Sequence, residues 1–214
     1  MAEYFAARLA APLPALAGIE FAPERDAFCA AHAPANIACW PWDQGGYRPE
    51  AQARMAWSEA GLHLLLCARE RTINAEHARF NEDVWTDSCL ECFLQPCPDS
   101  DDRYLNVEVN ALGAALIGVG KAREGRARLQ TPPQGMRFEA SRHAGAWWAV
   151  AYTIPAAFLR ETFGFAPEAG AAMRGNFYKC EEKLQPHFGC WSPIETPKPD
   201  FHQPAYFGTI HLIG

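Results

Sequence analysis

The chain has 214 residues, 49% of them apolar and 21% charged, with 19 basic against 25 acidic side chains and a formal charge of −6. That composition supplies a sizeable core and an ordinary polar surface, but no basic stripe of the kind nucleic acid requires. The apolar runs all fall well short of the roughly 20 residues that a membrane-spanning helix needs. Neither nucleic acid nor a membrane is therefore expected as a partner.

At the start of the chain, residues 1–10 lack a basic segment followed by an unbroken apolar one, so no signal peptide is read. The eight cysteines, at 29, 39, 67, 89, 92, 97, 180 and 190, are accordingly expected as free thiols in a reducing cytoplasm. Residues 1–20 are rich in Ala and Pro, and Pro12 and Pro14 interrupt any helix there. A short helix is predicted from Pro23, followed by the aromatic turn Trp40-Pro-Trp-Asp-Gln-Gly-Gly-Tyr47. From residue 51 the period becomes that of strands: 51–57 and 62–70 are joined across Gly61, and 62–70 is apolar enough to be covered on both faces. A polar loop leads to Trp85, and strands are predicted at 87–94, 104–110 and 113–120, the glycines of the last marking a bulge or a close approach. The basic run from Lys121 to Arg128 reads as a loop between strands. Strands follow at 136–143 and 146–154 around Gly145, then a short helix from Pro155 and strands at 173–180 and 206–212. The Pro-rich stretch between Trp191 and Gly208 carries enough aromatics to be a packed loop. No segment is a plausible linker. The expectation is one all-β domain over 1–214, an antiparallel two-sheet β-sandwich with short peripheral helices, with 1–49 packed on it as an N-terminal extension.

Successive strand residues face opposite sides of a sheet. In 104–110, Leu105, Val107 and Val109 form a core face, which leaves Tyr104, Asn106, Glu108 and Asn110 on the other. In 87–94, Asp87, Cys89, Glu91 and Phe93 share a face. If the two polar faces coincide, Glu91, Asn106, Glu108 and Asn110 make a floor with Trp85 at its rim. Stacking surface beside donors and acceptors suits a sugar. The plain alternative is a solvated sheet face. Other chemistries are also open. Glu91 and Glu108, or Asp87 and Glu91, could supply the carboxylate pair of a glycoside-cleaving or sugar-modifying enzyme. Asn81, Glu82, Asp83 and Asp87 offer oxygen ligands to calcium. Cys180 with His187 could form a nucleophilic pair. Cys89 and Cys92 have CxxC spacing, but an offset of three on a strand sends the thiols to opposite faces, and no second pair exists.

The segment Asn81-Glu-Asp-Val-Trp-Thr-Asp-Ser-Cys-Leu-Glu-Cys-Phe-Leu94, then Tyr104-Leu-Asn-Val-Glu-Val-Asn-Ala-Leu-Gly113, resembles the core of family 9 carbohydrate-binding modules and related DOMON-type domains. Trp147-Trp-Ala-Val-Ala-Tyr-Thr-Ile-Pro155 is similar to a later strand of theirs, and Arg174-Gly-Asn-Phe-Tyr-Lys-Cys180 with Cys190-Trp-Ser-Pro193 to their closing segment. The resemblance implies a sandwich that holds a mono- or oligosaccharide on its concave sheet without catalysis, two aromatics clasping the sugar. It implies Trp85 as one clasp, Glu91 beneath it and Asn176 beside it. Lys179 stands where the second aromatic would be, so Trp191 or Tyr178 is expected to substitute. The candidate ligand-binding set is thus Trp85, Glu91, Asn106, Glu108, Asn110, Asn176 and Trp191, with calcium the one cofactor kept open. Haem, bound by some DOMON domains, would need axial ligands such as Met55 or Met173 with His77.

Overall fold

The computed structural model describes residues 2–43, 45–142 and 147–214; His143 and the turn expected around Gly145 lie outside them. The strands are β1 (Glu3–Ala7), β2 (Ala35–Asn36), β3 (Glu50–Ser58), β4 (Gly61–Arg69), β5 (Cys89–Gln95), β6 (Tyr104–Asn110), β7 (Ala115–Gly120), β8 (Ala127–Arg128), β9 (Phe138–Ser141), β10 (Trp147–Pro155), β11 (Ala172–Glu181), β12 (His187–Cys190) and β13 (Gly208–Ile213). Two short helices, α1 (Ala27–Ala31) and α2 (Ala156–Phe163), lie at the periphery. One sheet has the order β1-β13-β11-β5-β6-β7-β8, with β12 on β11; the other has the order β2-β3-β4-β10-β9.

Alternation decides what faces what. Leu90, Cys92 and Leu94 of β5 and Leu105, Val107 and Val109 of β6 meet Met55, Leu64, Leu66, Trp148 and Val150 of the other sheet in the inter-sheet core. The opposite face of β5 and β6 is also covered, by Ile194, Phe201 and Phe207 of the loop between β12 and β13, packed against Phe93, Tyr104 and Tyr178. That Pro-rich loop is therefore packed, as its aromatics predict. Strand β4 is covered on both sides too, since Leu16, Phe21 and Phe28 lie over Leu65 and Cys67. Both outer layers come from segments with little regular structure. In each, stiff proline-bearing chain carries large apolar side chains at low conformational cost.

The architecture is the expected sandwich, with two differences in detail. Strand β1 runs parallel to β13, Glu3 opposite Thr209, so one edge of the large sheet is not antiparallel. The first 49 residues also enter both sheets, through β1, through β2 on β3, and through the backbone bridge between Cys39 and Cys190. They do more than rest on a finished domain.

Candidate saccharide-binding site

The register of β5 on β6 sets Glu91 opposite Glu108, Phe93 opposite Asn106 and Cys89 opposite Asn110, so the two polar faces coincide. Tyr178 of β11 lies opposite Glu91 on the other flank. Immediately before β5, the 3₁₀ turn Val84–Thr86 presents Trp85, half-buried, at the rim. Asp87 locks this turn: its Oδ2 accepts from the backbone N–H groups of Glu76 and His77 at 3.1 and 3.0 Å and from Asn110 Nδ2 at 2.8 Å.

Above this floor is a cavity of about 320 Å³, the low end of the range for small-molecule sites. Trp85, Glu91, Glu108 and Cys180 line it from the sheet and its entry turn, and Glu182 and Phe188 from the β11–β12 hairpin. Asp200, Phe201 and His202 come from the Pro-rich loop, Arg123 and Arg126 from the segment between β7 and β8, and Arg128 from β8. Glycines admit that segment. A Cβ on Gly118 would meet Asn106 Oδ1 at 2.5 Å, and one on Gly120 would meet Arg126 Cβ at 2.5 Å.

Each arginine is held differently. Arg123 pairs with Asp200 at 2.8 Å. Arg128 donates to Asp83 at 3.0 Å and lies over the Trp85 ring, 5.0 Å from its centroid. Arg126, whose side chain is 9% exposed, bonds the carbonyl of Arg123 at 2.8 Å and comes no nearer to Glu108 Oε1 than 3.8 Å. Asn106 Nδ2 donates to the same Oε1 at 2.9 Å. Asn106 Oδ1, Glu108 Oε2 and Arg126 Nε are left buried without a protein partner. Two acceptors and a donor in so small a space are what a pair of ligand hydroxyls can satisfy.

Burial dominates the electrostatics. It pushes the Glu108 carboxyl up to about 7 against the pull of the three arginines. Glu91 is raised well above the usual carboxylate range by burial, with the nearby Cys180 and Glu108 adding to it. Burial also lowers His202 to about 3, so its ring is neutral; its Nδ1 lies 2.7 Å from the Tyr104 hydroxyl.

Not every expected residue reaches the cavity. Trp85, Glu91 and Glu108 line it, and Asn106 lies just beneath. Asn110, by contrast, ties down a turn: its Oδ1 accepts from Leu112 and Ala114 N–H, and its Nδ2 donates to the carbonyl of His77. Asn176 shares the face, yet its Oδ1 accepts from Phe177 and Ser192 N–H and its Nδ2 donates to the Ser192 carbonyl, which pins the start of the Pro-rich loop. Trp191 packs against Tyr4 and Phe177 at the inter-sheet core. Tyr178 is buried against Phe201, ring centroids 4.2 Å apart. Besides Trp85, the aromatic side chains lining the cavity are Phe188 and Phe201. The three arginines were missed because their spacing reads as loop; the signal that could have found them is the pair Gly118 and Gly120, which leave room for long side chains over the sheet.

The other chemistries disperse. Glu82 accepts from Arg79 and the N–H groups of Ala78 and Arg79, and Asp83 pairs with Arg128, so these carboxylates are turned apart. Cys180 faces the cavity, whereas His187 shares the opposite face with Glu181 and points to Glu70. Met55 and Met173 are both in the inter-sheet core. Cys92 faces that core and Cys89 the outer side, as the strand offset predicts. All eight cysteines are free, and no helix among the described residues is long and apolar enough to cross a membrane.

The sequence profile of carbohydrate-binding family 9 matches residues 27–212. Among solved structures, the chain is similar to a candidate carbohydrate-binding protein from Bacteroides uniformis, with 27% identity, 98% of each chain covered and a TM-score of 0.75. It is also similar in fold to a family 9 module from Caldicellulosiruptor kristjanssonii. The complex of that module with cellotriose gives 12% identity, coverage of 100% of this chain and 94% of the module, and a TM-score of 0.65. The complex with glucose gives 12% identity, 100% and 96% coverage, and 0.64. No curated protein matches the chain.

Proposed function

The chain belongs to carbohydrate-binding family 9, and from that premise we propose that it binds a mono- or oligosaccharide, without catalysis, in the cavity over β5 and β6. The observation that carries this reading is the group of unpartnered buried atoms, Asn106 Oδ1, Glu108 Oε2 and Arg126 Nε, beside the half-buried ring of Trp85. Sugar hydroxyls supply both donors and acceptors for such a floor, and the C–H face of a pyranose packs on an aromatic ring. In this reading Trp85, Glu91 and Glu108 contact the sugar, with Asn106 and Arg126 completing the floor. Asn110, Asn176 and Trp191 act as supports. One stacked ring and a few hydrogen bonds correspond to affinities of roughly micromolar to millimolar.

The test is intrinsic tryptophan fluorescence titrated with glucose, cello-oligosaccharides and a wider saccharide panel, with and without calcium. A saturable shift that Trp85→Ala weakens about fivefold, with the melting temperature kept, is expected from roughly 1 kcal/mol of stacking. A folded protein that responds to no sugar would defeat the reading.

A second reading, glycoside cleavage by Glu91 and Glu108, draws on their direct cross-strand pairing. Such pairs hold their Cβ atoms about 4.5–5.5 Å apart, compatible with the roughly 5–5.5 Å carboxyl separation of retaining glycosidases. Hydrolysis of an aryl glycoside that disappears in Glu91→Gln would favour it over binding alone.

A further inference from the structure

We propose that Cys89, Cys180 and Glu91 form a binding site for one thiophilic divalent cation, with zinc the best fit, at the inner end of the cavity. It shares Glu91 and the cavity with the saccharide reading but does not depend on it.

The site is made by register. Cys89 and Cys180 are direct partners across β5 and β11, so their side chains leave the sheet side by side on one face. Glu91 lies two residues along β5 on that same face. One ligand atom from each of the three, two sulfurs and a carboxylate oxygen, all lie within 4.8 Å of one another. A tetrahedral zinc ion, with Zn–S about 2.3 Å and Zn–O about 2.0–2.2 Å, needs its ligand atoms roughly 3.5–3.8 Å apart. The three groups are therefore nearly in position, and side-chain rotation closes the remainder. The set S₂O selects zinc over calcium or magnesium, which take oxygen ligands only.

Plain packing explains a buried thiol, but it does not explain the carboxylate. Glu91 is 2% exposed, and the one hydrogen bond its carboxylate makes among the described residues is from the Cys180 thiol at 3.1 Å, a thiol that also lies 3.4 Å from the Trp85 carbonyl. A thiol is a weak donor for a buried acid. A cation shared with both sulfurs would satisfy that oxygen and free the second one for the cavity. Glu91 and Cys180 both line the cavity. It supplies an access path and a fourth coordination position, open to water or a ligand hydroxyl. The other cysteine of the CxxC pair, Cys92, takes no part, because it faces the inter-sheet core. Sequence spacing points to the wrong partner for Cys89, and only the β5–β11 pairing brings in Cys180.

The experiment is a Co²⁺ titration of the reduced, full-length chain, followed by displacement with Zn²⁺. One equivalent of Co²⁺ is expected to produce thiolate-to-cobalt charge-transfer absorption that Zn²⁺ abolishes. Cys89→Ser and Cys180→Ser should each remove it, and Cys97→Ser, on a thiol bonded to the Phe163 carbonyl elsewhere, should leave it intact. A folded wild-type chain with no such band would overturn the proposal. So would a band that survives both substitutions, or one lost in Cys97→Ser. Should a serine variant not fold, zinc X-ray absorption on the wild type decides: two sulfur neighbours at about 2.3 Å support the site, and four or none overturn it.

Discussion

Arg126 and Glu108 face each other under the cavity without closing into a contact pair. The guanidinium Nη2 stays 3.8 Å from Oε1, while Arg126 Nε and Glu108 Oε2 have no protein partner. Oε1 is taken by Asn106 at 2.9 Å, and Arg126 is anchored by the Arg123 carbonyl. Both ends are thus held by other bonds, and the gap between them persists. A buried acid and base that could pair but are kept apart leave unsatisfied polarity. In the proposed reading, that is the local cost of a floor prepared for a ligand.

The cost should be visible in pH dependence. Burial raises Glu108 to about 7, against roughly 4.3 for a glutamate in the unfolded chain. Between these values the folded chain holds a proton that the unfolded chain has released, so this group makes stability fall as pH rises. The loss is absent below about pH 4, grows through pH 5–7 and levels off above, reaching about 4 kcal/mol at most. In metal-free protein, Glu108→Gln is therefore expected to be near-neutral at pH 4.5 and stabilising at pH 8. Thermal melts of both proteins across that range check it; a stabilisation independent of pH would contradict the assignment.

Lys179 gives a prediction of the opposite sign. It replaces an expected aromatic, and it turns away from the cavity into the interior. There Nζ lies 3.0 Å from Glu70 Oε1 and donates to the Cys180 carbonyl at 2.6 Å. Glu70 also accepts from Trp148 Nε1 at 2.6 Å and from Ser88 Oγ at 3.2 Å. Removing one partner of a buried pair leaves the other charge uncompensated, which costs about 3–5 kcal/mol. Lys179→Met should lower the urea midpoint accordingly, and the double variant Lys179→Met with Glu70→Gln should recover part of the loss. Equal midpoints for Lys179→Met and wild type would rule this role out.

How much of this was legible in the sequence differs by scale. Strands β5 and β6 follow from alternation, because Leu105, Val107 and Val109 could only face a core. The pairing of their polar faces follows as well, since a one-residue slip would turn Glu108 into the inter-sheet core and Val107 out of it. Lys179 was not legible: its place in the strand marks the inward face, but nothing local reveals that Glu70, 109 residues earlier in the chain, is its counter-ion. The backbone bonds of Asn110 and Asn176 were not legible for a related reason. An asparagine on a polar face reads as a ligand until the backbone groups beside it are known, and those belong to turns whose path the sequence leaves open. The arginines at 123, 126 and 128 required knowing that a hairpin folds back over Gly118 and Gly120.

Asn176 separates support from contact. Its side chain satisfies Phe177 N–H, Ser192 N–H and the Ser192 carbonyl at 2.8–2.9 Å. Asn176→Ala would orphan buried backbone groups, at about 1–3 kcal/mol each if water does not enter. Equilibrium denaturation should show a loss in that range, with saccharide affinity changing only as far as the Pro-rich loop shifts. A large fall in affinity at unchanged stability would instead make Asn176 a direct ligand.

Gly118 tests whether the floor and the binding are one structure. Its backbone φ is ordinary, so alanine brings no left-handed strain there. The added Cβ, however, would lie 2.5 Å from Asn106 Oδ1 and 3.2 Å from both Arg126 Cδ and Nε. The Asn106 amide is held by its bond to Glu108 and Arg126 by the Arg123 carbonyl, so relief requires breaking one of these or lifting the β7–β8 hairpin. Overpacking of this kind costs about 1–3 kcal/mol. Gly118→Ala is expected to lose that stability and to weaken saccharide binding with it, because Asn106 Oδ1 and Arg126 Nε move together. Gly135→Ala, at a turn with nothing within 4 Å but with φ at +83°, should lose stability through strain alone and leave binding unchanged. Calorimetric titration of the two variants with the best saccharide of the panel distinguishes them. Equal affinities would mean that the orphaned atoms over Gly118 do not touch the sugar.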